Sequence, residues 1–66
     1  MLRWSIDATG NLVQSTATFI EMIEMVDPAH PAGNSARLYV KDNGAGKTQI
    51  VARFPTGAAV VIATEV

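Results

Sequence analysis

The sequence predicts an all-β protein, with an N-terminal hairpin followed by a C-terminal three-stranded antiparallel meander. Apolar and polar residues alternate in several short runs, which is the period of a half-buried strand. Gly, Pro and Asn separate these runs. The chain has 66 residues, enough for one domain. We therefore expect a single small β domain over residues 1–66, with the hairpin and anchor strands in 1–26, a Pro-rich linker in 27–35 and the meander in 36–66.

The first strand of the predicted hairpin carries its apolar residues at every second position. Leu2, Trp4 and Ile6 alternate with polar side chains, and Gly10-Asn11 supplies the positive φ of a tight turn. Residues 12–14 can return as the second strand. We therefore predict a hairpin over residues 2–14.

Residues 15–26 fit two structures equally well. Phe19, Ile20, Ile23 and Val26 have helical spacing, yet most of the side chains here are strand formers. The alternation typical of a strand is also imperfect, because Glu21 falls on an otherwise apolar face. The pattern alone does not choose between helix and strand.

The linker at residues 27–35 contains two prolines within four positions. Pro28 and Pro31 remove two main-chain donors and favour extended conformations in the residues before them. His30 lies between them, and we expect it to be an exposed bystander rather than a ligand or a proton carrier.

The meander is the clearest part of the pattern. Apolar and polar residues alternate in 36–41 and in 48–54, around a loop rich in turn formers at 42–46. Pro55-Thr56-Gly57 predicts a tight turn before a third strand, 59–65. That strand is apolar on both faces, which is typical of a strand covered on both sides.

The composition points to association with another chain. Cysteine is absent, so no disulfide can stabilise a core that is small for its surface. Hydrophobic residues make up 48% of the chain and charged residues only 17%, which indicates that some apolar surface faces a partner. The net charge of −1 provides no basic patch for nucleic acid or for a membrane surface.

No motif predicts catalysis, a metal site or a cofactor. Gly44-Ala45-Gly46-Lys47-Thr48 resembles the end of a phosphate-binding loop, but Thr48 is predicted to begin a strand rather than a helix. Asp42 begins a calcium-like loop that lacks further acidic ligands. Glu21 and Glu24 have no basic or nucleophilic partner nearby in the sequence. We therefore expect a protein that is not an enzyme, with no catalytic, cofactor-binding or metal-binding residues.

The second half of the chain resembles a module of tailed-bacteriophage structural proteins. The shared features are the Pro-Ala linker at 27–33, the strand ARLYVKD at 36–42, GKTQ at 46–49 and the ending TGAxxxIATE at 56–65. The module occurs in small virion proteins and beside head-fibre and tail-fibre segments. The resemblance implies a structural role, commonly as trimers with apolar strand faces around the three-fold axis. It also favours a strand over residues 19–26.

These features together predict a homotrimeric bacteriophage virion protein, either a capsid decoration (cement) protein or a fibre-base component. We expect it to be made in the bacterial cytoplasm and to contact capsid, tail or fibre proteins. A cytoplasmic module that binds a host protein by β-augmentation is the alternative. The predicted core or trimer seam is Leu38, Val40, Ile50, Phe54, Val60 and Ile62. The predicted anchors to the shell or to a neighbouring chain are Trp4, Ile6, Phe19 and Ile23.

Overall fold

The computed structural model describes residues 4–66 and confirms the predicted all-β fold. The described part of the chain has no helix and forms two antiparallel sheets. Leu2 and Arg3, in the predicted first strand, lie outside the described residues. The strands are β1 (Trp4–Ile6), β2 (Leu12–Gln14), β3 (Arg37–Asp42), β4 (Thr48–Arg53) and β5 (Val60–Thr64).

The N-terminal hairpin pairs Trp4 with Gln14 through a turn held by a single carboxylate. Asp7 Oδ1 accepts hydrogen bonds from the main-chain amides of Thr9, at 3.0 Å, and of Asn11, at 2.8 Å. Bonds from Asn11 and Thr9 lower the pKa of the Asp7 carboxyl. Gly10 has φ of +88°, as the turn signal predicts.

The meander has the order β3-β4-β5, with short connections. Tyr39 pairs with Val51, which pairs in turn with Val61, so these three side chains share one face of the sheet. The ladder between β4 and β5 is irregular at Ile50/Val51, which gives β5 a bulge. The loop between β3 and β4 places Gly44 at φ +91°.

The expectation of a strand over residues 19–26 is wrong. This segment is neither strand nor helix, and the structure brings no strand beside residues 19–24. Within residues 4–66, its main-chain contact with the meander is the hydrogen bond from Met25 N to Val40 O, 2.9 Å long, at the outer edge of β3. Without a paired strand, strand-forming side chains do not make a ladder.

The core of the single chain is small and lies in the meander. Tyr39, Val40 and Val51 are the buried hydrophobic residues among those described, and Val51 is fully buried. No strand of the hairpin packs against a strand of the meander. The core therefore stabilises the meander and leaves the hairpin outside it.

The molecule is flat and open for its size. Its principal extents are 38 × 31 × 15 Å, and its radius of gyration is 14.3 Å. A compact chain of this length has a radius of gyration of about 11 Å. The accessible surface is 5082 Å², whereas a folded monomer of this mass exposes about 4,000 Å². The single chain therefore leaves an unusually large surface in water.

Candidate interaction surface

One face of the meander is covered by residues 24–30, which we call the strap. Four side chains project from this face and bond to the strap: Arg37, Tyr39, Lys41 and Arg53. Arg37 Nη1 donates to the carbonyl of Ala29 at 3.1 Å. At the other end of the strap, Glu24 reaches past the edge of this face, where its Oε2 accepts from Thr48 Oγ1 at 2.6 Å at the start of β4. The predicted linker is therefore a tethered layer over the sheet.

Asp27 is the central tether of the strap. Its Oδ1 accepts a hydrogen bond from the Tyr39 hydroxyl at 2.5 Å, and its Oδ2 lies 3.1 Å from Lys41 Nζ in an ion pair. The bond from Tyr39, followed by the bond from Lys41, lowers the pKa of the Asp27 carboxyl. Burial, and then the bond to Asp27, raises the pKa of the Tyr39 phenol. Both shifts favour an ionised carboxylate beside a neutral phenol.

His30 is exposed, as expected, but it is bonded on both ring nitrogens. Nδ1 lies 2.8 Å from the main-chain oxygen of Phe54, and Nε2 lies 3.2 Å from Arg53 Nη2. A carbonyl only accepts, so Nδ1 carries the proton and Nε2 accepts from Arg53. His30 therefore joins the strap to the end of β4, a structural contact that the sequence did not predict.

The opposite face of the meander is apolar and largely uncovered. Leu38 pairs with Ala52 and Val40 with Ile50, while Val60 pairs with Ala52 from the other side. We call Leu38, Val40, Ile50 and Val60 the apolar face. Only Val40 is buried. The sheet therefore has a strapped face of tethered polar side chains and a second face of exposed aliphatic ones.

The six residues predicted for the core or trimer seam divide accordingly. Val40 belongs to the core of the single chain. The other five are exposed, so they are not core residues of one chain, and their place in a seam between chains stays a prediction. They are Leu38, Ile50, Phe54, Val60 and Ile62.

The last strand, β5, is an open edge. All five of its residues are exposed, and none is charged or a proline. In the described chain nothing pairs with β5 on the side away from β4. The sequence predicted a strand covered on both faces, whereas the single chain covers neither face fully. An apolar edge of this kind is a template for another strand.

The predicted anchors are placed at the margins of the molecule. Trp4 is half-buried in the hairpin and Ile6 is exposed there. Phe19 and Ile23 are exposed on residues 19–23, which we call the arm. The structure does not bring the hairpin together with the apolar face, so the two predicted sets of residues do not form one site.

The motifs weighed for chemistry have structural roles. Gly44–Thr48 closes the β3–β4 hairpin, where Asn43 Oδ1 accepts from the Ala45 amide at 2.7 Å, and Thr48 begins a strand as predicted. Lys47 Nζ donates to the Val66 carbonyl at 3.2 Å. Residues 4–66 bring together no group of three or more His, Asp or Glu that could hold a metal ion.

Two open clefts lie beside the meander. One, of about 490 Å³, is lined by the strap together with Lys41 and Asp42. The other, of about 450 Å³, lies between Thr48, Ile50 and the end of β5. Polar side chains of both clefts are engaged in bonds already described, Lys41 with Asp27 and Thr48 with Glu24.

Comparison of the chain with known protein families, curated proteins and solved structures finds no match. No helix of the described residues has the length and apolarity that a membrane crossing requires. The function of the chain is therefore inferred from its own surface and from the resemblance in its sequence.

Sequence reasoning missed Asp27, the most connected side chain of the strap. In the sequence pattern, Asp27 is the first residue of the predicted linker. The available signal was its place immediately before Pro28, opposite a strand that presents Tyr39 and Lys41 two residues apart on one face. Nothing in the pattern states that the linker folds back over that strand, because this is a tertiary contact between distant segments.

Proposed function

We propose that this chain is a bacteriophage virion structural protein that is not an enzyme. In this proposal it is a capsid decoration (cement) or fibre-base component that stabilises the particle as a homotrimer packed on its surface. It is made in the bacterial cytoplasm and ends in the virion, bound to copies of itself and to capsid, tail or fibre proteins. No nucleic acid or membrane takes part.

The observation that carries this proposal is the mismatch between buried and exposed apolar surface. Three hydrophobic side chains are buried among the described residues, while Leu38, Ile50 and Val60 of the apolar face and the rest of β5 stay exposed. Exposed patches of this kind mark interaction sites. The strap completes one face of the sheet with its own polar bonds, so the apolar face is the side that a partner would cover.

The phage assignment rests on the resemblance of residues 24–66 to the virion module. The flat shape suits a protein that lies on a shell, since a thin sheet offers a large contact area for little mass. Trp4 and Ile6 on the hairpin are free of the meander and are the proposed contacts to the shell. Aromatic residues are frequent anchors at interfaces.

Quantitative mass spectrometry of purified particles tests the proposal. We expect the chain at a fixed ratio to the major capsid or tail protein, and heat-labile particles when its gene is deleted. Val60→Asp would place a charge on the apolar face and prevent incorporation, whereas Thr56→Asp, in the exposed turn before β5, would not. Intact particles that lack the chain would contradict the proposal.

The open edge of β5 supports a second candidate, a small cytoplasmic module that adds a strand of a host protein to its sheet. Such a module would be abundant in infected cells and absent from purified particles. The same mass spectrometry, run on lysate and particles in parallel, separates the two candidates.

A further inference from the structure

We infer that the arm of one copy pairs with the β5 edge of the next, so that the protein associates head to tail. The inference rests on the proposed self-association and identifies the contact that would carry it. The arm is five residues long, as is β5; four residues of the arm are apolar, and Glu21 is at its centre. The arm and β5 are therefore both strand-like segments that lack a partner strand on at least one side.

The main chain of the arm is unpaired within the described residues. No main-chain hydrogen bond joins residues 19–23 to another segment. Three of the arm's four apolar side chains, Phe19, Ile20 and Ile23, are exposed, and Ile23 is 90% exposed. A segment in this state gains both ladder hydrogen bonds and apolar burial when it adds to a sheet edge.

The arm cannot reach the β5 edge of its own chain. The bond from Met25 N to Val40 O fixes the end of the arm at the outer edge of β3. β3 and β5 are the two opposite edges of the sheet. The arm therefore lies three strand spacings, about 14 Å, from β5. A second copy can present its β5 edge to the arm without moving that bond.

The exposed surface leaves room for a small contact of this kind. The surface of 5082 Å² exceeds that of a compact monomer of this mass by roughly 1,000 Å². Each copy in a head-to-tail ring makes two contacts, one through its arm and one through β5, so this excess provides roughly 500 Å² for each, which is the size of a small interface. Repulsion between the two segments is small, because Glu21 is the one charged residue of the arm and β5 has none.

Head-to-tail pairing sets the symmetry of the assembly. The arm and the β5 edge are different surfaces, so each copy would contribute its arm to one neighbour and its β5 edge to the other. Such heterologous contacts close into rings when the rotation allows. A ring of three would agree with the proposed trimer. Pairing of β5 with β5, by contrast, would be two-fold and would stop at a dimer.

Cysteine cross-linking tests the pairing, and the natural chain has no cysteine to interfere. Ile23→Cys marks the arm and Ile62→Cys marks β5, and both side chains are exposed, so circular dichroism should show that each variant stays folded. A short bismaleimide is added to each variant alone and to an equal mixture. We expect cross-linked dimers from the mixture and none from either variant alone.

The double variant, carrying both cysteines, should give a linked trimer on a denaturing gel and no cross-linked species larger than a trimer. A matched charge test uses Ile62→Lys, which should shift the sedimenting species to monomer, and Thr56→Lys, which should not. Cross-links from Ile62→Cys alone would overturn the inference in favour of two-fold edge pairing. An oligomer with no cross-link in the mixture would overturn it and leave the proposed virion role standing, since particle composition is measured separately.

Discussion

Val51 provides the sharpest test of where stability resides in the single chain. It is fully buried at the centre of the meander, while Val61, its partner in β5, is 47% exposed on the same face. Val51→Ala removes two methyl groups, worth about 1.6 kcal/mol in transfer free energy. With the void left behind, the expected loss is about 2–3 kcal/mol.

The matched control is Val61→Ala, which removes the same atoms. Because Val61 is about half exposed, the expected loss is roughly 0.8 kcal/mol. A core of this size supplies about 3–5 kcal/mol in total. Val51→Ala should therefore remove half or more of the stability and lower the melting temperature by roughly 10–20 °C.

The assay is urea unfolding followed by far-ultraviolet circular dichroism, at a protein concentration low enough to keep the chain monomeric. If Val51→Ala leaves no folded baseline, an osmolyte such as trimethylamine N-oxide restores a measurable transition for both variants. Equal losses for Val51→Ala and Val61→Ala would refute the assignment of the core to the strapped side of β4.

Three further predictions concern the strap and the turns. Because the pKa of Asp27 is lowered in the fold, its carboxylate stabilises the fold above its ordinary pKa of 3.8. This contribution is lost as the pH falls through the folded-state pKa. The urea midpoint of Asp27→Asn should therefore fall less steeply in acid than that of the natural chain. Because the pKa of Tyr39 is raised in the fold, its neutral phenol stabilises the fold below its ordinary pKa of 10.0, and this contribution is lost as the pH rises further. Tyr39→Phe should therefore remove the loss of stability in alkali. An unchanged loss would contradict the Asp27 contact. Gly44→Ala should cost about 1 kcal/mol in thermal unfolding because of its φ of +91°, whereas Gly33→Ala, in open space without a positive φ, should be neutral or slightly stabilising; equal effects would contradict the turn assignment.

The strands were predictable because their pattern is local. The alternation around Leu38 and Val40 predicts the strands, and the glycines of the β3–β4 loop predict the turn between them. The boundaries differ by a residue or so, since strand ends depend on a partner that periodicity does not show.

The strap was not predictable for the opposite reason. Pro28 and Pro31 predict an extended segment, but extension says nothing about which surface the segment crosses. Its course is decided by bonds between Asp27, Tyr39 and Lys41, which are 12 to 14 residues apart. Val51 was missed for the same cause, because it becomes a core residue only when the strap covers its face.

The strap also determines which side of the sheet a surface-bound molecule turns to the solution. Its bonds to the sheet run from Asp27 to His30 and occupy one side with residues of the same chain. A molecule seated on a surface through its apolar side would therefore turn the strap outward, with Met25 and Val26 exposed on it. Such a layer, one molecule deep, would have a thickness close to the 15 Å of the molecule's shortest axis.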